Sequence, residues 1–145
     1  FDTVAAIGAL RDGDARVFVG LGGNFARATP DSAVTEAALA RASLTVQVST
    51  KLNHSHLMTG RRALILPTLG RTENDVQASG KQRVSVEDSM SVVHASRGRL
   101  DPASDELRSE VWIVTRLAEK VLAGRANAPQ VDWSAWRVRT APSAA

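Results

Sequence analysis

Gly22-Gly23-Asn24 stands directly after the apolar run Val17-Phe18-Val19-Gly20-Leu21. At the carboxyl end of a strand, glycines let the backbone approach a ligand with no Cβ in between, and asparagine tolerates the left-handed conformations such a turn uses. Backbone amides presented in this way, just ahead of a helix, suit the phosphates of a nucleotide-like cofactor. The same three residues also serve as an ordinary strand-to-loop connection, so their neighbours decide between the two readings. Other chemistry finds less support. His54, His56 and His94 offer three imidazoles, but no acidic residue sits at a spacing that would orient them on a metal. Polar histidines with satisfied hydrogen bonds, near the loop, are expected instead of a zinc site. The sequence Gly-x-Ser-x-Gly is absent and so is cysteine, which removes a nucleophile elbow, a thiolate nucleophile and sulfur ligation of zinc or iron. No residue is expected to be catalytic.

The elements that must position the glycine turn read as an α/β series. Phe1 to Leu10 has helical apolar spacing and stops at Arg11-Asp12-Gly13-Asp14, with no cap evident at its start. Arg16 to Leu21 is a strand whose continuous apolar character suits a buried parallel sheet. Thr29-Pro30-Asp31 starts a helix to about Ala42, with Thr29 as the cap, Pro30 in the first position and Asp31 and Glu36 near the positive end of the dipole. Its small residues Ala33, Ala37, Ala38 and Ala40, with Val34 and Leu39, form the expected inner face. Leu44 to Ser49 and Arg62 to Leu66, ending in Pro67, are the second and third strands. A right-handed crossover and a parallel sheet are the default for such a series.

Beyond Pro67, residues 70–83 read as a long polar loop, and Val84 to Val93 as short strands around a turn at Asp88-Ser89. Asp101-Pro102 or Ser104 caps a last helix, on which Leu107, Val111, Val114, Ala118 and Val121 recur before Gly124. From residue 127 the periodicity fails, so 1–126 reads as the domain and 127–145 as a disordered or artificial tail.

At 145 residues and 43% hydrophobic content, the chain suffices for one domain with a core and is short for two. No stretch approaches the ~20 apolar residues of a membrane span, and the amino end lacks a signal segment, so no membrane partner and a cytoplasmic location are expected. The net charge of +3 comes from arginines scattered along the chain, without a stripe and with few aromatics to interleave, which argues against nucleic acid as a partner.

Taken in order, Val19-Gly20-Leu21-Gly22-Gly23-Asn24, Val46-Gln47-Val48-Ser49-Thr50-Lys51-Leu52-Asn53, Ala63-Leu64-Ile65-Leu66-Pro67 and Val86-Glu87-Asp88-Ser89-Met90 resemble the molybdopterin oxidoreductases, specifically the formate-dehydrogenase-like alpha subunits. The resemblance covers roughly residues 1–123. It implies the family's third domain, a Rossmann-like three-layer unit with a mostly parallel sheet, within a chain several times longer. It also implies a bis(molybdopterin guanine dinucleotide) cofactor carrying molybdenum or tungsten, held for two-electron oxidation of formate or a similar small substrate. Iron–sulfur clusters would lie in other parts of such a chain, and the remaining domains of that oxidoreductase would be its partners.

By position, the resemblance places Gly22, Gly23 and Asn24 against the nucleotide. Ser49, Thr50, Lys51 and Asn53 follow the second strand, where many family members have an aspartate near the guanine. That aspartate is missing here, so the hydroxyls and the Asn53 amide would supply the contacts, with Lys51 as a point charge for the pyrophosphate. Pro67, Thr68 and Glu73 match a segment laid along the cofactor, and Glu87, Asp88 and Ser89 a later acidic turn. Read from the residues alone, Ser49 to Asn53 also fits a capped turn, and Glu87 with Asp88 a solvated pair. By itself the segment is expected to be inactive, and to associate through apolar surface that neighbouring domains would cover. The other class of reading is a separate nucleotide-binding or protein-interaction module.

Overall fold

The computed structural model describes residues 2–77 and 80–136. Phe1 of the expected first helix, residues 78 and 79 of the expected loop and residues 137–145 of the expected tail lie outside the described residues. The chain forms two compact units, one up to Pro67 and one from Thr68 onward.

In the first unit, helix α1 spans Thr3–Asp12 and strand β1 Val17–Leu21; helix α2 spans Ser32–Arg41, β2 Leu44–Ser49 and β3 Ala63–Pro67. The three strands form a parallel sheet in the order β1-β2-β3, the expected α/β class with a small sheet. Helix α1 does have a cap: the Asp2 carboxylate accepts from Ala5 N–H at 2.8 Å, and Gly13, at φ 88°, closes the helix. The cap of α2 is Asp31, which accepts from Val34 N–H at 3.0 Å. Thr29, expected in that role, is taken up by the Thr35 hydroxyl at 2.8 Å. The buried face of α2 is also narrower than its alanines suggested. Thr35, Ala38 and Leu39 are buried, followed by Ala42, while Ala33, Val34, Ala37 and Ala40 face solvent.

Ala38, Leu39 and Ala42 join Ile7 and Leu10 of α1, Ala26 and the partly buried Phe18, Phe25 and Met58 in one core cluster. Phe18 and Phe25 meet at 4.9 Å between ring centroids. The pleat puts Phe18, Thr45 and Gln47 on one sheet face, where Thr45 and Gln47 are buried. On the other face Val17, Val19, Leu21 and Leu64 are about half exposed, although parallel sheets ordinarily have both faces covered.

In the second unit, the expected loop contains a short hairpin, β4 Val76–Gln77 with β5 Gly80–Lys81. A longer one follows, β6 Val84–Glu87 with β7 Val93–Ser96, around the expected turn. Helix α3 runs over Glu110–Leu122 and is capped by Ser109, not by Asp101 or Ser104. The cause is a tertiary tie on the preceding residue: the Arg108 carbonyl accepts from Leu69 N–H at 3.0 Å and from the Thr68 hydroxyl at 2.7 Å, which holds this stretch in a parallel bridge. Leu107 therefore precedes the helix. Val111, Val114 and Val121 lie on it but remain exposed. Residues 133–136 form a 3-10 turn within the expected tail.

Candidate functional site

Because the strands are parallel, their carboxyl ends share one edge, where Leu21 pairs with Val48 and Ser49 with Pro67. Loops at this edge are where α/β sheets bind ligands. The structure thus brings the glycine turn, the Ser49-to-Asn53 loop and Pro67 to the same edge of the first unit.

Gly22 and Gly23 have φ of 68° and 67°, a left-handed succession that other residues resist. Gly22 N–H extends the sheet by donating to the Val48 carbonyl at 2.8 Å and is not open to a phosphate. The N–H groups of Gly23 and Asn24 have no protein acceptor among the described residues, and no heavy atom lies within 4 Å of the place a Gly23 Cβ would take. The accessible amides are therefore shifted one residue along from the expected pair. The start of α2 adds nothing for an anion, since the Asp31 carboxylate already occupies it.

The turn is tied from a distance. Asn53 donates its amide N–H to the Gly23 carbonyl at 2.7 Å while its Oδ1 accepts from Ser55 N–H at 3.0 Å, so the Asn53 amide is largely committed to the protein. Asn24 Oδ1 accepts from the Ser55 hydroxyl at 3.0 Å, and Ser55 Oγ accepts from Ala26 N–H at 2.9 Å. Ser55 joins both turns and is buried. Replacing it with alanine leaves the Ala26 N–H without its acceptor, and the expected loss is about 1–3 kcal/mol in denaturant unfolding. An unchanged midpoint would mean that the tie contributes nothing.

His56, expected as a satisfied polar histidine, is buried. Its Nδ1 faces Asn53, 3.0 Å from the backbone nitrogen and 3.2 Å from both the carbonyl oxygen and Oδ1, which leaves Nε2. That atom is buried and has no partner among the described residues, contrary to the expectation of satisfied histidines. His54 is satisfied, with Nε2 2.9 Å from Glu36 Oε1. No group of three or more metal-ligating side chains occurs among the described residues.

Around this frame, the Ser49 hydroxyl donates to the Lys51 carbonyl at 2.7 Å, Thr50 is exposed, and Lys51 is exposed with no carboxylate partner among the described residues. Lys51 is the cation available to the loop.

Apart from Ser89, the candidates in the second unit have structural partners of their own. Thr68 is buried on Arg108, and Glu73 accepts from the Gly70 and Ala103 N–H groups. Glu87 pairs with Val93 across the hairpin, and Ser89 is exposed in the turn. Asp88 organises that turn, accepting from Met90 and Val92 N–H groups and lying 2.8 Å from His94 Nε2. The His94 hydrogen bond, then the Val92 and Met90 amides, hold the Asp88 carboxyl below its ordinary value of 3.8. A lowered folded-state pKa means that this contribution is complete above the ordinary value and is lost as pH falls through the lowered one. Carboxyl NMR should give a midpoint below 3.8 that rises in His94→Ala. A wild-type midpoint at or above the ordinary value would contradict the assignment.

Comparison with known proteins gives a consistent set of relatives. The chain is 70% identical over 118 residues to a protein of Mycobacterium tuberculosis (strain ATCC 25618 / H37Rv) named uncharacterized oxidoreductase, a match covering 81% of this chain and 15% of the relative. A Mycobacterium bovis protein of the same description matches equally. Protein YdeP of Escherichia coli (strain K12) is 49% identical over 119 residues, covering 82% of this chain and 16% of the relative. No protein-family model matches. The chain thus spans about 15% of the length of these curated relatives, and it is homologous to a segment of proteins that carry the name oxidoreductase. No described helix is long and apolar enough to cross a membrane.

Proposed function

We propose that this chain is a cofactor-binding segment of an oxidoreductase of the molybdopterin type, resembling formate dehydrogenase, and that its first unit holds the guanine dinucleotide part of the cofactor. The observation that carries this reading is the left-handed Gly22-Gly23 turn at the sheet's carboxyl edge, with the Gly23 and Asn24 N–H groups unclaimed. The unfilled space over Gly23 is a further feature that a ligand would use. The names of the relatives support a redox role.

In this reading the Gly23 and Asn24 amides and Lys51 bind the pyrophosphate, while the Ser49 and Thr50 hydroxyls lie along the nucleoside. The committed Asn53 amide holds the turn in shape more than it reads the base. When bound, the cofactor's molybdenum or tungsten and dithiolenes supply the two-electron chemistry, and this segment supplies position and electrostatics. The half-exposed aliphatic face of the sheet fits a segment whose neighbours are other domains of a larger chain. The location proposed for that protein remains the cytoplasm.

Titrating the chain with guanosine diphosphate while following backbone amide NMR tests the binding role. The Gly23 and Asn24 amides should shift first and saturably. Shifts absent from this turn, or spread evenly over the chain, would count against it.

A further inference from the structure

The second unit contains a feature that the cofactor reading does not use. The loop 70–74 and the segment 96–100 enclose a shallow open cavity of about 390 Å³, lined by Arg71, Arg97, Arg99, Thr72, Ser96 and Leu100, with Gly98. The frame is built from backbone bonds: Arg99 and Leu100 N–H both donate to the Thr72 carbonyl, at 2.8 and 2.9 Å, and Asn74 N–H donates to the Leu100 carbonyl at 2.7 Å. Gly98 permits the approach, since a Cβ there would stand 1.9 Å from the Glu73 carbonyl oxygen. The two segments cannot drift apart without breaking this set.

All three arginines are exposed, and none forms an ion pair among the described residues. The neighbouring acid, Glu73, directs its carboxylate to the Gly70 and Ala103 amides. Three positive charges thus line one concavity without an ion-pair partner among the described residues, although Asp75 and Asp101 are close in sequence, and the Thr72 and Ser96 hydroxyls are additional donors. Guanidinium groups bind oxyanions through paired N–H donors, and a tetrahedral dianion accepts from more of them than a carboxylate can. No aromatic side chain lines the cavity to stack a base.

We propose that the Arg71, Arg97 and Arg99 concavity is a binding site for the terminal phosphoryl group of a small phosphorylated molecule. It is separate in its residues from the Gly23 site, so either assignment can fail alone.

The test is titration of the 145-residue chain with inorganic phosphate at pH 7.5 and constant ionic strength, read by backbone amide NMR. Saturable shifts are expected at Thr72, Arg97, Gly98 and Arg99. Arg97→Ala and Arg99→Ala should each weaken binding about tenfold or more, the scale of one lost charge-assisted contact. Arg97→Lys, which retains charge without the fork, should weaken it less. Gly23→Val should leave the phosphate response unchanged. Unchanged β6 and β7 amide positions establish that each variant is folded; should Arg97→Ala not fold, Arg71→Ala carries the same expectation. Equal shifts with sodium chloride or acetate, or unchanged phosphate affinity in the arginine variants, would overturn the proposal.

Discussion

Gly23→Val in the native full-length protein is expected to reduce retained molybdenum or tungsten, and pterin, about tenfold or more while the chain remains folded. At φ 67° a non-glycine residue costs roughly 1–2 kcal/mol, and valine's β-branch adds crowding. That is a fraction of the ~5–15 kcal/mol by which domains are stable. The space around Gly23 is open, so the branch meets no protein atom at Cβ and instead fills the approach to the Gly23 and Asn24 amides. Losing one or two charge-assisted contacts, at ~1.5–3 kcal/mol each, gives at least a tenfold loss of affinity. Gly23→Ala carries most of the backbone strain with less obstruction and should fall between the two. Metal and pterin content equal to wild type in folded Gly23→Val protein would remove the turn from the cofactor site.

The second large effect is expected at Gly98. Its missing Cβ would lie 1.9 Å from the oxygen, 2.3 Å from the carbon and 2.7 Å from the nitrogen of Glu73, all backbone atoms. No side-chain rotation relieves such a contact. Relief requires moving the 70–74 loop, which breaks the paired bonds to Thr72, the Asn74 to Leu100 bond and the Glu73 bonds to Gly70 and Ala103. Gly98→Ala should therefore cost about 3 kcal/mol or more, the upper range for overpacking joined to the loss of several hydrogen bonds. Because the chain has two units, hydrogen exchange is the suitable measurement: Asn74, Arg99 and Leu100 amides should lose protection while those of β2 keep theirs. Protection within about 1 kcal/mol of wild type at those three amides would show that the loop pair is not locked.

The parallel sheet was legible because local residues specify it: an apolar run ending at glycine marks β1, one ending in proline marks β3, alternating β-branched residues mark β2, and Gly13 marks the end of α1. The turn at Asp88 was legible for the same reason. The cap of α2 was not, since Thr29, Asp31 and Ser32 are all acceptable caps, and the Thr29 to Thr35 contact removes the first of them. The start of α3 depends on Thr68 and Leu69 holding Arg108, forty residues away in sequence. The candidate site divides likewise. Its location at the strand ends follows from sequence order, whereas the commitment of Asn53 to Gly23 and of Ser55 to Ala26 and Asn24 arises from contacts across about thirty residues. Arg71 becomes a neighbour of Arg97 and Arg99 only when Gly98 lets two loops meet.

The cofactor assignment is tested most directly on native protein from its host, by measuring intact mass together with molybdenum, tungsten and released pterin fluorescence on one sample. A species several times larger than this chain, with metal and pterin in stoichiometric amounts, is the predicted result. A full-length protein purified without metal and pterin, or a free chain of this length that carries neither, would contradict it.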